Sequence, residues 1–400
     1  MPKKALPKYL GVVAFGVRAG VILPGDDIVK VVCERVEECS RDGLLDDGDI
    51  VCVTESVVAR SQNNYVTEDE IALEVRDKLG ISDSGRLGVL FPIVSRNRFA
   101  PILRGLAKAV PKGKLIIQIS YPCDEVGNQT VPEEHVLKCD SRHGGKITLE
   151  DVTDIPIRHP ITGVDYLSLY RDIVRESGAE PVIIICNDPR AILEQRPDSI
   201  IISDIHGRRR TRAIVEKHFS KCTTLQDICS DSKRGAWSEW GLLGSNLSSG
   251  GRIKLPPREG NRVASNIKNE IARKTGKRVE VVIYGDGAYK DPESGIYELA
   301  DPQTYFGLTE GLEAKKRTGV KYKWLADTLQ AEGKGREEIE SSIETAKGEE
   351  HEIDSMLMEG TTPRKMADVV SSLADLVSGS ADAGTPIVVV KGLIPEKLRP

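Results

Sequence analysis

Short runs of β-branched and aliphatic residues, each closed by a polar cluster, recur along this chain and alternate with amphipathic stretches at helical spacing. Such alternation specifies strands buried on both faces and covered by helices, so it predicts an α/β fold with mixed or parallel sheets. The clearest runs are Asp49–Thr54, Lys114–Ile119, Pro181–Cys186, Ser199–Ser203, Val279–Ile283 and Pro386–Val390, and Val12–Phe15 reads as a first strand.

At 400 residues the chain exceeds one ordinary domain, and the strands are not spread evenly. The expected division is a core in three pieces, 1–65, 236–310 and 361–400, interrupted by an α/β region at 66–235 and a charged segment at 311–360. Lys, Glu and Gly dominate the last of these, which reads as a solvated helical insertion or lid. Beyond it, Thr362 and Pro363 suit the cap and first turn of a helix running to about Val377.

A net charge of only -5 gives no global footprint for nucleic acid or an anionic bilayer, and neither is expected as a partner. Lys3 and Lys4 before the apolar run Leu10–Val17 imitate a signal peptide, but Arg18 interrupts the run. No stretch is long enough to span a bilayer. The eight cysteines include no Cys-x-x-Cys pair, so free thiols and a cytoplasmic location are expected.

Ligands of open α/β sheets bind outside the carboxyl ends of strands, and polar residues gather there in this chain. The tips are Thr54-Glu55-Ser56, Tyr121 to Glu125, Asn187 to Arg190, Asp204 to Arg208, and Gly285-Asp286-Gly287. Asp286 between two glycines is the best candidate metal ligand, with Asp291 nearby, although Asp-Gly is also a common plain turn. Arg208 at the start of a helix, with Asp204, His206 and Asn187, is a candidate site for phosphate or an acidic substrate; the alternative is a paired surface patch. Arg96 and Arg98 lead into a helix over about Ala100–Val110 and suit capture of a small anion. Walker and Gly-x-Gly-x-x-Gly loops are absent, leaving Ser378–Thr385 as the remaining small, hydroxyl-rich loop.

Three ordered segments resemble one family. Gly25-Asp26-Asp27 with Asp47 to Arg60, Gly241 to Asp286, and Met366 to Gly392 are similar to the coenzyme F-420-0:L-glutamate ligases, in the same order and with similar internal spacing. The resemblance implies a two-part α/β fold that forms a homodimer. It also implies an enzyme that uses GTP (or ATP) with Mg or Mn to join L-glutamate to an acidic acceptor through an acyl phosphate. K is a further cation to consider, and F-420-0, a folate or a related cofactor are the candidate acceptors. Carried over by position, Ser56, Arg60, Asn246, Gly379 and Gly384 are expected at the nucleotide, and Asp286 and Ser380 at metal. One position departs from the pattern: Leu243 stands where the family has a metal-binding carboxylate. Either acids elsewhere, among Asp124, Glu125, Asp188, Asp204 and Asp291, rebuild the site, or the chain is a non-catalytic nucleotide- or metabolite-binding homologue.

Overall fold

The computed structural model describes residues 9–133, 135–136, 146–147, 158–317, 319–347, 352, 355–361, 363–378 and 384–394. Gly379, Ser380, Thr362, Cys139 and the N-terminal lysines lie outside the described residues.

The fold is α/β, built on two sheets. Five strands form the first, in the spatial order Val13–Val17, Ile387–Lys391, Ile50–Thr54, Glu280–Tyr284, Tyr305–Leu308. Only the third and fourth run parallel, with Thr54 beside Tyr284 in register. The strand alternation divides its side chains between two cores. Val51, Val53, Val281, Ile283 and Val389 pack under helices Ile28–Arg41 and Gly260–Thr275, while Ile50, Cys52, Val282, Val388 and Val390 pack under helix Met366–Ser378. Asp49 lies one residue before its strand rather than within it, and is buried in an ion pair with Lys391.

The second sheet has six strands, in the order Lys146–Ile147, Glu180–Cys186, Lys114–Ile119, Arg86–Leu90, Ser199–Ile202, Cys222–Thr224, and all but the first are mutually parallel. Counting the parallel strands along the chain, this is a doubly wound order that reverses direction between Arg86–Leu90 and Ser199–Ile202. Leu87, Val89, Leu115 and Ile117 meet helices Glu68–Leu79, Phe99–Lys108 and Tyr166–Glu176 on one face. Leu90, Ile116, Ile200 and Ile202 meet Ile192 and Val215 on the other.

Local chemistry explains the element ends. Thr67 and Glu70 form a reciprocal capping box, and Gly80 ends the same helix in the left-handed region. Asp27 caps Ile28–Arg41 by accepting from Lys30 N–H at 3.0 Å. The helix expected from Thr362-Pro363 begins instead at Met366, because Arg364-Lys365 pair as a short strand with Lys316-Arg317. The charged segment carries helices Tyr322–Ala331 and Arg336–Lys347, of which only Ile343 and Ala346 are buried.

A small three-stranded sheet links the two units: Asn246-Leu247 pairs with Ile253-Lys254, which pairs with Tyr65-Val66. None of the seven described cysteines forms a disulfide. Among the described residues no helix is long and apolar enough to cross a membrane.

Candidate active-site cleft between the two sheets

Strand pairing assembles the cleft. Because Thr54 and Tyr284 are neighbours on parallel strands, the tips that follow them, Glu55-Ser56 and Gly285-Asp286, emerge side by side. Helix Glu55–Ser61 starts at once, so Ser56 and Arg60, four residues apart, share a face. The small sheet sets Lys254 opposite both Asn246 and Tyr65. From the other unit come Asn97 and Arg98. Together these residues, with Asp375, line a cleft of about 940 Å³, open solvent at its mouth included.

Gly285 is required by crowding: a Cβ there would lie 2.5 Å from Asp301 Oδ2 and 2.6 Å from the Phe306 ring. The turn is then tied down by carboxylates, since Asp286 N–H donates to Asp301 Oδ2 at 2.9 Å and Gly287 N–H to Asp375 Oδ2 at 2.9 Å. Arg98 donates to Asp286 Oδ2 at 2.6 Å and to Asp301 Oδ1 at 2.8 Å. Lys254 donates to both Glu55 oxygens at 2.7 and 2.8 Å, and both partners are buried.

Four carboxylates, Glu55, Asp286, Asp301 and Asp375, therefore gather around two buried cations, Arg98 and Lys254, while the third cation of the cleft, Arg60, is exposed. Burial shows in the acidities. Burial, then repulsion from Asp301, pushes the Asp286 carboxyl up to about 8 despite Arg98. Burial raises Glu55 and Asp375 as well. All the anionic donors are oxygens, which suits a hard divalent cation. The carboxylates are nevertheless engaged by Arg98, Lys254 and backbone N–H groups, and among the described residues no three acidic, imidazole or thiol side chains already converge on one point.

Ser56, Arg60, Asn246, Arg98 and Asp286 thus come together. Other candidates do not. Asp291 accepts from Ser294 N–H and Oγ at 2.6 Å, which holds its carboxyl below the usual carboxylate pKa, and it lines a different cavity beside His159. Asn187 exchanges both amide bonds with the backbone of Tyr121. His206 Nε2 lies 3.1 Å from Leu299 O. Arg208 is buried, donating to Gln226 Oε1 at 3.0 Å and to Ile205 O, so it is turned inward rather than towards a ligand. The helix start before it already holds an anion of the protein's own: Glu125 accepts from the N–H groups of Ile205, His206 and Gly207 at 2.6, 3.0 and 2.5 Å. Asp204, next to it, accepts from Thr211 Oγ1. Arg96 is exposed, one residue before Asn97 of the cleft, and Gly384 is exposed with a positive φ of 62°.

Asp301, Asp375 and Lys254 were not legible as site residues. Leu243 is buried beside Ile93 and Phe99, in an apolar wall. The carboxylate beside that loop comes from Asp301, whose Oδ1 would lie 3.0 Å from a Cβ on Gly244. None of the acids considered from sequence is there: Asp124 accepts from Val94, Val126 and Asn128 N–H, Asp188 pairs with Arg190, and Glu125, Asp204 and Asp291 are placed as above.

An acid-rich cleft beside parallel strand ends, between two α/β units, is the architecture of a small-molecule enzyme rather than of a nucleic-acid binder. The chain belongs to the F420-0:gamma-glutamyl ligase family, whose profile matches residues 16–392. It is also similar to the coenzyme F420:L-glutamate ligase of Methanocaldococcus jannaschii, with 24% identity over 294 residues, covering 73% of this chain and 84% of the relative.

Proposed function

We propose that this chain is a γ-glutamyl ligase that joins L-glutamate to the carboxylate of F420-0, using GTP and Mg or Mn. The observation that carries this reading is the cleft at the Ser56 and Asp286 strand tips, which brings the carboxylates Glu55, Asp286 and Asp375 together with the cations Arg60, Arg98 and Lys254, and in which Asp301 shares Arg98 with Asp286. Asp286 and Asp301, with Asp375 beside them, are the groups that would hold the metal. When bound, it would offset the triphosphate charge and polarise the γ-phosphoryl group.

The chain's own residues divide the remaining work. The Ser56 hydroxyl and the Arg60 guanidinium, on one helix face, suit phosphate oxygens, and Asn246 suits a nucleotide donor or acceptor. Lys254, held in place by Glu55, adds a fixed positive charge on the same wall. Arg96, exposed next to the cleft, is the candidate for the acceptor's charge. In the reaction an acceptor carboxylate oxygen attacks the γ-phosphorus and GDP leaves. The glutamate amine then attacks the acyl carbon, loses a proton and expels phosphate.

The non-catalytic alternative drew on Leu243, and the carboxylate of Asp301 beside Gly244 weakens it. The test is turnover of GTP, Mn2+, glutamate and F420-0, with a folate as the second acceptor, read as phosphate release and amide mass. Asp286→Ala is expected to lower turnover by about a thousandfold, as loss of a metal-holding carboxylate does. Absence of nucleotide binding, together with an Asp286→Ala protein that behaves as wild type, would sink the assignment.

A further inference from the structure

Arg98 is fastened at its two ends to different units. Its backbone belongs to the six-stranded unit, where Val94 N–H donates to Asp124 Oδ2 at 2.8 Å, Ser95 N–H to the Tyr170 hydroxyl at 3.0 Å, and Arg98 N–H to Ser95 Oγ at 3.1 Å. Its guanidinium belongs to the five-stranded unit, one nitrogen on Asp286 and the other on Asp301. The Asp301 side chain is 2% exposed and that of Arg98 18%, so water screens these charges poorly. A planar fork with a donor on each side can lie between two carboxylates and satisfy both in a fixed geometry. Without it, two adjacent buried anions would repel each other.

We propose that Arg98 is a positioning residue that serves as an internal counter-cation: it holds Asp286 and Asp301 together while no metal is bound, and a divalent cation displaces it. The inference deepens the metal-dependent reading above and rests on it. Charge balance makes the exchange reasonable, because a doubly charged ion neutralises both carboxylates where the guanidinium neutralises one. The displaced guanidinium stays on the wall it shares with Ser56, Arg60 and Asn246, and there an anionic phosphate becomes its new partner. Metal and nucleotide then bind cooperatively, and the hold between the units changes hands at the same step.

The experiment is calorimetric titration of the full chain with Mn2+ alone, and with GTP at saturating Mn2+, for wild type, Arg98→Gln and Arg98→Lys. Removing the competitor should tighten Mn2+ binding by about tenfold in Arg98→Gln and weaken GTP binding by about tenfold, since the same group changes sides. Arg98→Lys keeps the charge without the fork and should fall between. The metal-free unfolding temperature of Arg98→Gln should drop and be restored by Mn2+; if that variant does not fold, the lysine variant supplies the reading. Mn2+ affinity that is unchanged or weaker in both variants overturns the proposal. Shifts in Mn2+ affinity without any amide formation would keep the counter-cation and discard the ligase assignment, and amide formation indifferent to Arg98 would do the reverse.

Discussion

The two places where this molecule gathers charge at strand ends behave in opposite ways. In the crevice of the six-stranded sheet, Glu125 fills the helix start before Arg208, Arg208 bonds to the backbone of its own turn, and Asn187 is used up by Tyr121. In the cleft between the sheets, Glu55, Asp286, Asp301 and Asp375 gather around the buried Arg98 and Lys254, and Arg60 lies exposed on the same wall. The same residue types at similar strand tips thus give, in one region, a crevice whose arginine and helix start are paired from within although Asp204 Oδ1 and Ser203 Oγ stay buried without a partner, and in the other a buried acid cluster beside an exposed arginine. Charge at a strand end marks a candidate; what remains after internal pairing decides whether a ligand is needed.

Three measurements test this contrast. The largest effect is expected from Leu243→Asp, which sets a carboxylate among Ile93, Phe99 and Leu242 in a cavity whose one charged side chain, Arg98, is already held by Asp286 and Asp301. It should cost about 3 kcal/mol or more in urea denaturation, without tightening Mn2+ binding, because a buried unpaired charge is costly. A stable variant with improved Mn2+ affinity would return the ligand to position 243 and remove it from Asp301.

Glu125→Ala comes next. It strips the acceptor from three backbone N–H groups and should cost about 2–3 kcal/mol. Turnover per folded molecule should stay within about twofold of wild type, because the change is structural. A large loss of turnover in the folded variant would make the crevice part of the active site.

The smallest effect is expected from Asp204→Asn, and its sign depends on pH. Burial, opposed by the Thr211 hydrogen bond and reinforced by Glu125, pushes Asp204 up to about 6. Below about 4 this acid is protonated folded and unfolded alike, so it contributes no pH-dependent cost. Between about 4 and 6 the unfolded chain loses the proton first, and stability falls as pH rises. Above 6 the cost is complete. The asparagine variant, which cannot ionise, should gain about 2 kcal/mol relative to wild type between pH 4 and pH 8. A difference that is flat across this range would mean that Asp204 ionises freely.

Much of the architecture could be read in advance. Runs such as Lys114–Ile119 and Pro386–Val390 signalled strands because burial on both faces demands continuous apolarity, and the observed strands differ from the expected ones by a residue or so. Gly285-Asp286-Gly287 stood out because crowding and a free carboxylate both leave a local mark. Asp301, Asp375 and Lys254 left none: an acid before a proline, one inside a helix and a lysine in a two-residue strand look like ordinary surface residues until the chain closes. Arg208 erred the other way, since nothing in its own segment announces that Glu125, from a turn more than eighty residues earlier, supplies the anion.

Periodicity and short glycine-flanked motifs act over a few residues, and they sufficed for the α/β class, the family, seven of the strands and the tips at Ser56 and Asp286, but not for strands Arg86–Leu90 and Tyr305–Leu308. Only the tertiary structure decided which tips meet, that Asp301 stands beside Gly244, and that Arg98 bridges the two units. These depend on sheet order and on which charges find partners across long stretches of chain, and electrostatic pairing at a few ångströms is a property of the folded arrangement.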